Sequence, residues 1–169
     1  MGIEASPILP GRNETALERW DRNLVELLQE VRVVQMGVQV LFAFLLAAPL
    51  TFGFGRLTTG QRIEYFSTLS LSATAAVLLI APTAYHRLLF RCGDKEFLVT
   101  VANRLTLAGL VAVGAAMVGA MVFVADVLFA GWAAALIGVV AANTCVALWA
   151  VLPLLRRREL RRRGSLQRP

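Results

Sequence analysis

The chain has 169 residues, of which 57% are hydrophobic and only 17% are charged, and its mean hydropathy is +0.66. Soluble domains carry about a quarter charged residues, so this composition excludes an ordinary soluble domain and indicates a protein embedded in lipid. The net charge of +6 does not indicate nucleic-acid binding, because no basic face interleaved with aromatic residues is visible.

The first segment of the chain predicts an amphipathic helix over residues 14–32, after a disordered N-terminus at 1–13. Thr15 and Glu18 match a capping box, so the helix should start there. Apolar residues recur at intervals of three and four, which gives one apolar stripe: Leu17, Trp20, Leu24, Leu27, Leu28 and Val31. We expect this helix to lie beside the membrane surface, with partner binding or gating as its functional alternative.

Four apolar segments are long enough to cross a bilayer, which takes about 20 residues per span. The run from Leu105 to Leu155 would be about 75 Å long as one helix, so it must fold back at "DVLFAG", residues 126–131. There Asp126 should cap the turn. The predicted spans are 33–52, 65–84, 105–126 and 131–155.

The basic residues predict the orientation of these spans. Four of them precede the first span, four lie between the second and third, and seven follow the fourth. By the positive-inside rule both termini are cytoplasmic. The predicted fold is therefore an all-α, integral membrane four-helix bundle with an N-terminal amphipathic juxtamembrane helix and a basic cytoplasmic tail at 156–169.

Several of these arginines should anchor the chain at anionic lipid headgroups. The predicted anchors are Arg87, Arg91, Arg156, Arg157, Arg158, Arg161, Arg162 and Arg163. His86, the only histidine, ends span two beside them, and Glu30 lies just before span one. Both are candidates for an interfacial or pH-responsive role, since an imidazole titrates near neutrality.

Uncharged polar residues within the spans form a candidate polar seam. Gln35 and Gln39 lie four residues apart in span one, and Asn143 and Thr144 lie near the middle of span four. Such side chains either hydrogen-bond between packed helices or line a path for ions or a small substrate. Ridges of small residues in spans three and four predict close contact between these spans or between subunits.

No constellation of catalytic residues is visible, and we expect neither an enzyme nor a bound cofactor. With two cysteines and one histidine, one subunit cannot assemble a four-ligand zinc site, so no metal is predicted. Two kinds of function remain open. The first is a non-enzymatic accessory or partner-binding membrane subunit, which would form a homo-oligomer or bind another membrane protein. The second is a small oligomeric ion channel or cation/proton transporter.

Three stretches together resemble a known family: "NLVELLQEVRVVQMGVQVLFAFLLAAPL" (23–50), "LLIAPTAYHRLLFR" (78–91) and "VANRLTLAGL" (101–110). This family comprises small, uncharacterised, four-helix bacterial membrane proteins, mainly actinobacterial. The resemblance covers roughly residues 20–130 and implies a bacterial plasma-membrane protein. Some members carry a sodium:proton antiporter label, although no functional residues come with it. Cation–proton exchange usually needs an ionisable group within the membrane, and none of the polar residues predicted near mid-membrane is ionisable.

Overall fold

The computed structural model describes residues 15–50, 53–89, 95–129 and 131–166, and in these parts of the chain the regular structure is entirely helical. The helices are α1 (Ala16–Ala47), α2 (Thr59–Leu88), α3 (Lys95–Phe129), α4 (Trp132–Val146) and α5 (Leu152–Leu166). Short 3-10 helices occupy Ala48–Leu50 and Phe54–Arg56, and a π-helical turn at Ala147–Val151 joins α4 to α5 without a break. The predicted disordered segment 1–13 lies outside the described residues.

Four of these helical segments are long and apolar enough to cross a membrane: α1, α2, α3 and the continuous helix that begins with α4. The prediction of an all-α four-helix membrane fold is confirmed. The juxtamembrane segment and span one belong to the same helix, because α1 runs from Ala16 to Ala47 uninterrupted.

The buried faces of the first two helices follow a heptad pattern. On α1 the buried residues are Leu24, Val31, Val38 and Leu45. On α2 they are Tyr65, Thr68, Ser72, Ala75, Leu79 and Pro82. Spacings of seven, or of three and four in alternation, keep one stripe of a helix facing its neighbours, as in knobs-into-holes packing.

The chain divides into two compact units, of which the first comprises Met1–Phe44 and Ser72–Val113. Its apolar core is formed by α1, α2 and α3, with Val31, Val38, Leu79 and Val113 among its members. The α3 backbone lies directly against α2 side chains, since a Cβ added to Gly109 would lie 2.9 Å from the Leu79 side chain.

The second unit comprises Leu45–Leu71 and Gly114–Pro169. The Tyr65 ring packs against Phe54 and Phe123, at centroid distances of 4.8 and 5.6 Å. Its hydroxyl donates a hydrogen bond to the Leu45 carbonyl oxygen, so a buried polar atom is satisfied. The Tyr65 side chain thus connects the end of α1 to the start of α2.

Small residues bring the helices of the second unit together. A Cβ on Gly119 would lie 2.5 Å from Thr68 Oγ1, and one on Gly138 would lie 2.6 Å from Val122 Cγ2. Gly119, which lies near the predicted small-residue ridge of span three, therefore contacts α2, whereas the prediction was contact with span four or another subunit. At Gly138, in the predicted ridge of span four, α4 meets α3.

The π-helical turn has a local cause in the sequence. Pro153 lacks a backbone N–H and its ring crowds the carbonyl four residues earlier. In the turn, the Leu152 N–H bonds to the Ala147 carbonyl oxygen, one residue farther back than in an α-helix. This change of register lets the helix continue through a proline.

The contact at Gly138 yields a stability prediction. Gly138→Val forces a branched side chain against Val122, and overpacking of this kind costs about 1–3 kcal/mol. Gly37→Val is the matched control, because an added Cβ there meets nothing within 4 Å. Denaturation of the detergent-solubilised proteins should show a loss only for Gly138→Val, partly restored by Val122→Ala. Equal stability of the two valine variants would contradict the contact.

Candidate functional sites

The first candidate site is a groove in the first unit, with a volume of about 430 Å³, between the N-terminal parts of α1 and α3. Its apolar lining consists of Trp20, Leu27 and Val99. Its polar lining consists of Asn23, Glu26, Glu30, Thr100 and Asn103. The groove is therefore amphipathic, and both of the charged residues that line it are acidic.

The two helices that form the groove, α1 and α3, are both longer than a bilayer is thick. The 32 residues of α1 and the 35 of α3 span about 48 and 52 Å at 1.5 Å per residue, against about 30 Å of hydrocarbon. The predicted spans begin at Val33 and Leu105, so the groove residues lie in the extensions before them. Since α1 has no break, its extension continues along the helix axis and does not turn to lie flat.

A capping box fixes the start of the α1 extension, as the sequence predicted. The Thr15 N–H and hydroxyl donate to Glu18 Oε2 over 2.7 and 2.9 Å, and the Glu18 N–H donates to Thr15 Oγ1 over 3.3 Å. These bonds satisfy N–H groups that a helix start leaves without partners.

The two acidic residues of the groove differ in whether they already form an ion pair with another residue of the chain. Glu26 accepts a hydrogen bond from Arg22 Nη1 at 3.2 Å, and the Arg19 guanidinium lies 5.8 Å from the Trp20 ring centroid. Glu30 is exposed and makes no hydrogen bond or ion pair within the described parts of the chain. Glu30 is thus the carboxylate that remains available to a ligand.

The second candidate site is a polar cluster in the second unit, where α2 begins and α3 ends. Gln61 Nε2 donates to Asp126 Oδ2 over 2.9 Å. Gln61 also closes a capping box with Thr58, through bonds of 3.0 and 3.2 Å. The sequence pattern T-x-x-Q at residues 58–61 is typical of a capping box, although this box was not among the predictions.

The expected role of Asp126 was wrong. Asp126 lies inside α3, and the turn after this helix contains Gly131, whose φ of 73° suits glycine, with no side-chain cap. Asp126 instead accepts the hydrogen bond from Gln61, which ties α3 to α2.

Glu64 is the acidic residue that the sequence analysis overlooked. It lies one turn after Gln61, is half-buried, and experiences the negative charge of Asp126. Glu64 was not predicted as a site residue because the predicted span begins one residue later, at Tyr65. Its spacing from Gln61 and Thr68 places the three on one face of α2.

The predicted polar seam remains a prediction. Gln35 is half-buried and Gln39 is exposed on α1. Asn143 and Thr144 are exposed on α4, where they donate to the Val139 and Val140 carbonyl oxygens of their own helix, over 2.8 and 2.9 Å.

The predicted interfacial residues lie at helix ends. His86 is half-buried and Arg87 is exposed in the last turn of α2. The exposed arginines of α5 are Arg156, Arg157, Arg158, Arg161 and Arg162. Arg156 pairs with Glu159 over 2.9 Å. Arg91 and the side chain of Arg163 lie outside what the structure describes. The headgroup and pH-responsive roles remain predictions.

Within the described residues, no group of three or more His, Cys, Asp or Glu side chains is placed to hold a metal ion. Glu64 and Asp126 form only a pair.

Comparison with protein families shows that residues 13–153 match a family of unknown function (DUF6328). The chain belongs to this family. The predicted resemblance to an uncharacterised family is thereby confirmed, and the DUF6328 match includes both the groove and the polar cluster. No curated protein and no solved structure matches the chain.

Proposed function

We propose that this protein is a non-enzymatic membrane subunit that binds a partner protein through the groove between α1 and α3. The observation that carries the proposal is the groove itself, which is concave and amphipathic and which, with the predicted span boundaries, lies outside the hydrocarbon. Grooves that combine apolar residues with a few convergent polar groups are the usual form of a binding site.

The structural role of the α1 extension supports this proposal. Leu24 and Val31 are buried, so the extension packs onto the bundle, whereas Glu26 and Glu30 remain exposed. A rigid helix that presents ordered polar side chains loses little conformational entropy on binding. The groove is therefore preorganised for recognition.

We also propose that the protein lies in a bacterial plasma membrane with both termini in the cytoplasm. Four spans return the chain to its starting side, and fifteen of its seventeen basic residues lie on that side in the threading. This distribution is the one that the positive-inside rule associates with the cytoplasm.

The orientation can be tested with single cysteines in a background that lacks Cys92 and Cys145. Leu160→Cys and Thr59→Cys replace exposed residues at opposite ends of the threading. A membrane-impermeant thiol reagent should label Leu160→Cys only in inside-out vesicles and Thr59→Cys only in right-side-out vesicles. Labelling of both cysteines from one side would rule out the orientation.

Partner binding predicts a charge-dependent complex. Glu30→Arg should weaken it by about tenfold or more, because a charge at the centre of an interface often contributes over 1 kcal/mol. Gln29→Arg is the matched control, since Gln29 is the exposed neighbour and does not line the groove. The measurement is the mass of the complex in nanodiscs extracted from the native membrane. Complexes of equal mass and abundance for both variants would argue against the groove.

A second candidate function is cation or proton transport, which the polar cluster favours. Glu64 supplies an ionisable group near Asp126, directly before span two of the predicted threading. Ionisable residues in membrane helices commonly mark ion pathways.

Transport predicts loss of flux when this carboxylate is neutralised. In proteoliposomes under a sodium or pH gradient, Glu64→Gln should reduce flux to background, and Glu96→Gln, an exposed acid on α3, should not. If the seam of Gln39 and Asn143 forms the pathway, Gln39→Leu and Asn143→Leu should also block flux. Absence of flux in the unmodified protein would eliminate this candidate.

A further inference from the structure

We infer that the groove binds the basic flank of a transmembrane helix in another membrane protein, with an arginine or lysine side chain held at Glu30. This inference rests on the proposed partner-binding function and adds the chemistry of the partner. It follows from the charge of the groove, from its apolar surface and from its place in the fold.

The charge of the groove favours a cation. Its charged lining residues are Glu26 and Glu30, and no lysine or arginine lines it. Arg22 already pairs with Glu26, which leaves Glu30 to receive a guanidinium or ammonium group. The side-chain carbonyl oxygens of Asn23 and Asn103 add acceptors, and a guanidinium has five N–H donors to distribute among them.

The apolar lining suits the remainder of the same side chain. Arginine and lysine bury their methylene stems along apolar surface while the charged head reaches a polar partner, and Leu27 and Val99 offer that surface. Trp20 adds aromatic surface to the lining, and the guanidinium of the chain's own Arg19 lies over its ring, 5.8 Å from the centroid.

The location of the groove points to the flank of a membrane helix. In the predicted threading, the groove lies just beyond the hydrocarbon on the cytoplasmic side, to which fifteen of the seventeen basic residues are assigned. Other membrane proteins concentrate lysine and arginine at the same level by the same rule. The chain provides an example of such a flank, where Leu154 and Leu155 are followed by three consecutive arginines.

Photo-crosslinking inside the groove tests the inference. A benzophenone amino acid at Asn103 or Thr100, which are exposed groove residues, is activated in the native membrane and the crosslinked peptides are sequenced. We expect peptides from a membrane protein that contain at least two lysines or arginines directly beside a transmembrane helix. The same group at Gln29 is the control and should give few such peptides.

Charge exchange then tests the contact with Glu30. Glu30→Gln should lower the crosslinking yield at Asn103 several-fold, and Glu96→Gln should leave it unchanged. Glu30→Arg should abolish the crosslink, and an Arg→Glu or Lys→Glu change in the crosslinked partner segment should restore it. Restoration requires opposite charges in contact, which a merely destabilised groove would not reproduce.

The outcomes separate this inference from the proposed function. Crosslinks to a neutral or acidic segment, or to a second copy of this chain, would overturn the basic-flank inference while partner binding stands. Crosslinks to lipid alone, at both groove positions, would overturn partner binding and the inference together. A crosslink yield that does not respond to Glu30→Gln would also overturn the inference.

Discussion

The close approach of helix backbones is the constraint on which this fold depends. In a bilayer, packed helices gain no hydrophobic free energy over lipid contact, so van der Waals contact and hydrogen bonds must hold them together. Gly109, Gly119 and Gly138 each place a backbone against a neighbouring side chain at a distance that no Cβ would permit. The polar contacts Tyr65–Leu45 and Gln61–Asp126 add direction to this packing.

Helix length connects this packing to the proposed function. Because α1 and α3 exceed the hydrocarbon thickness, the packing that holds the bundle also holds their extensions in place. The polar residues of the groove are therefore displayed on rigid helices, which position side chains more accurately than loops do. The polar cluster of Gln61, Glu64 and Asp126 lies where α2 begins and α3 ends, and these residues also lie within helices.

The sequence predicted the features that follow from hydropathy and local pattern. The number of spans and the capping box at Thr15 each depend on residues that lie close together in the sequence, so both could be predicted from it. Contacts between distant residues were not readable, because hydropathy does not specify which helix faces meet. For this reason Asp126 was predicted to cap a turn, whereas in the structure it pairs with Gln61, which lies 65 residues away in the sequence. The groove combines residues from α1 and α3, so no local pattern shows it. Glu64 was not considered as a site residue because it lies directly before the predicted span, which begins at Tyr65.

The π-helical turn before Pro153 also determines how α5 is rotated. One wide turn inserts a residue relative to an α-helix, and each residue of an α-helix advances by about 100° around the axis. The arginines of α5 are therefore phased about 100° away from where the periodicity of α4 would place them. A helical wheel drawn through both segments assigns them to the wrong side, so the azimuth of this basic surface depends on a single proline.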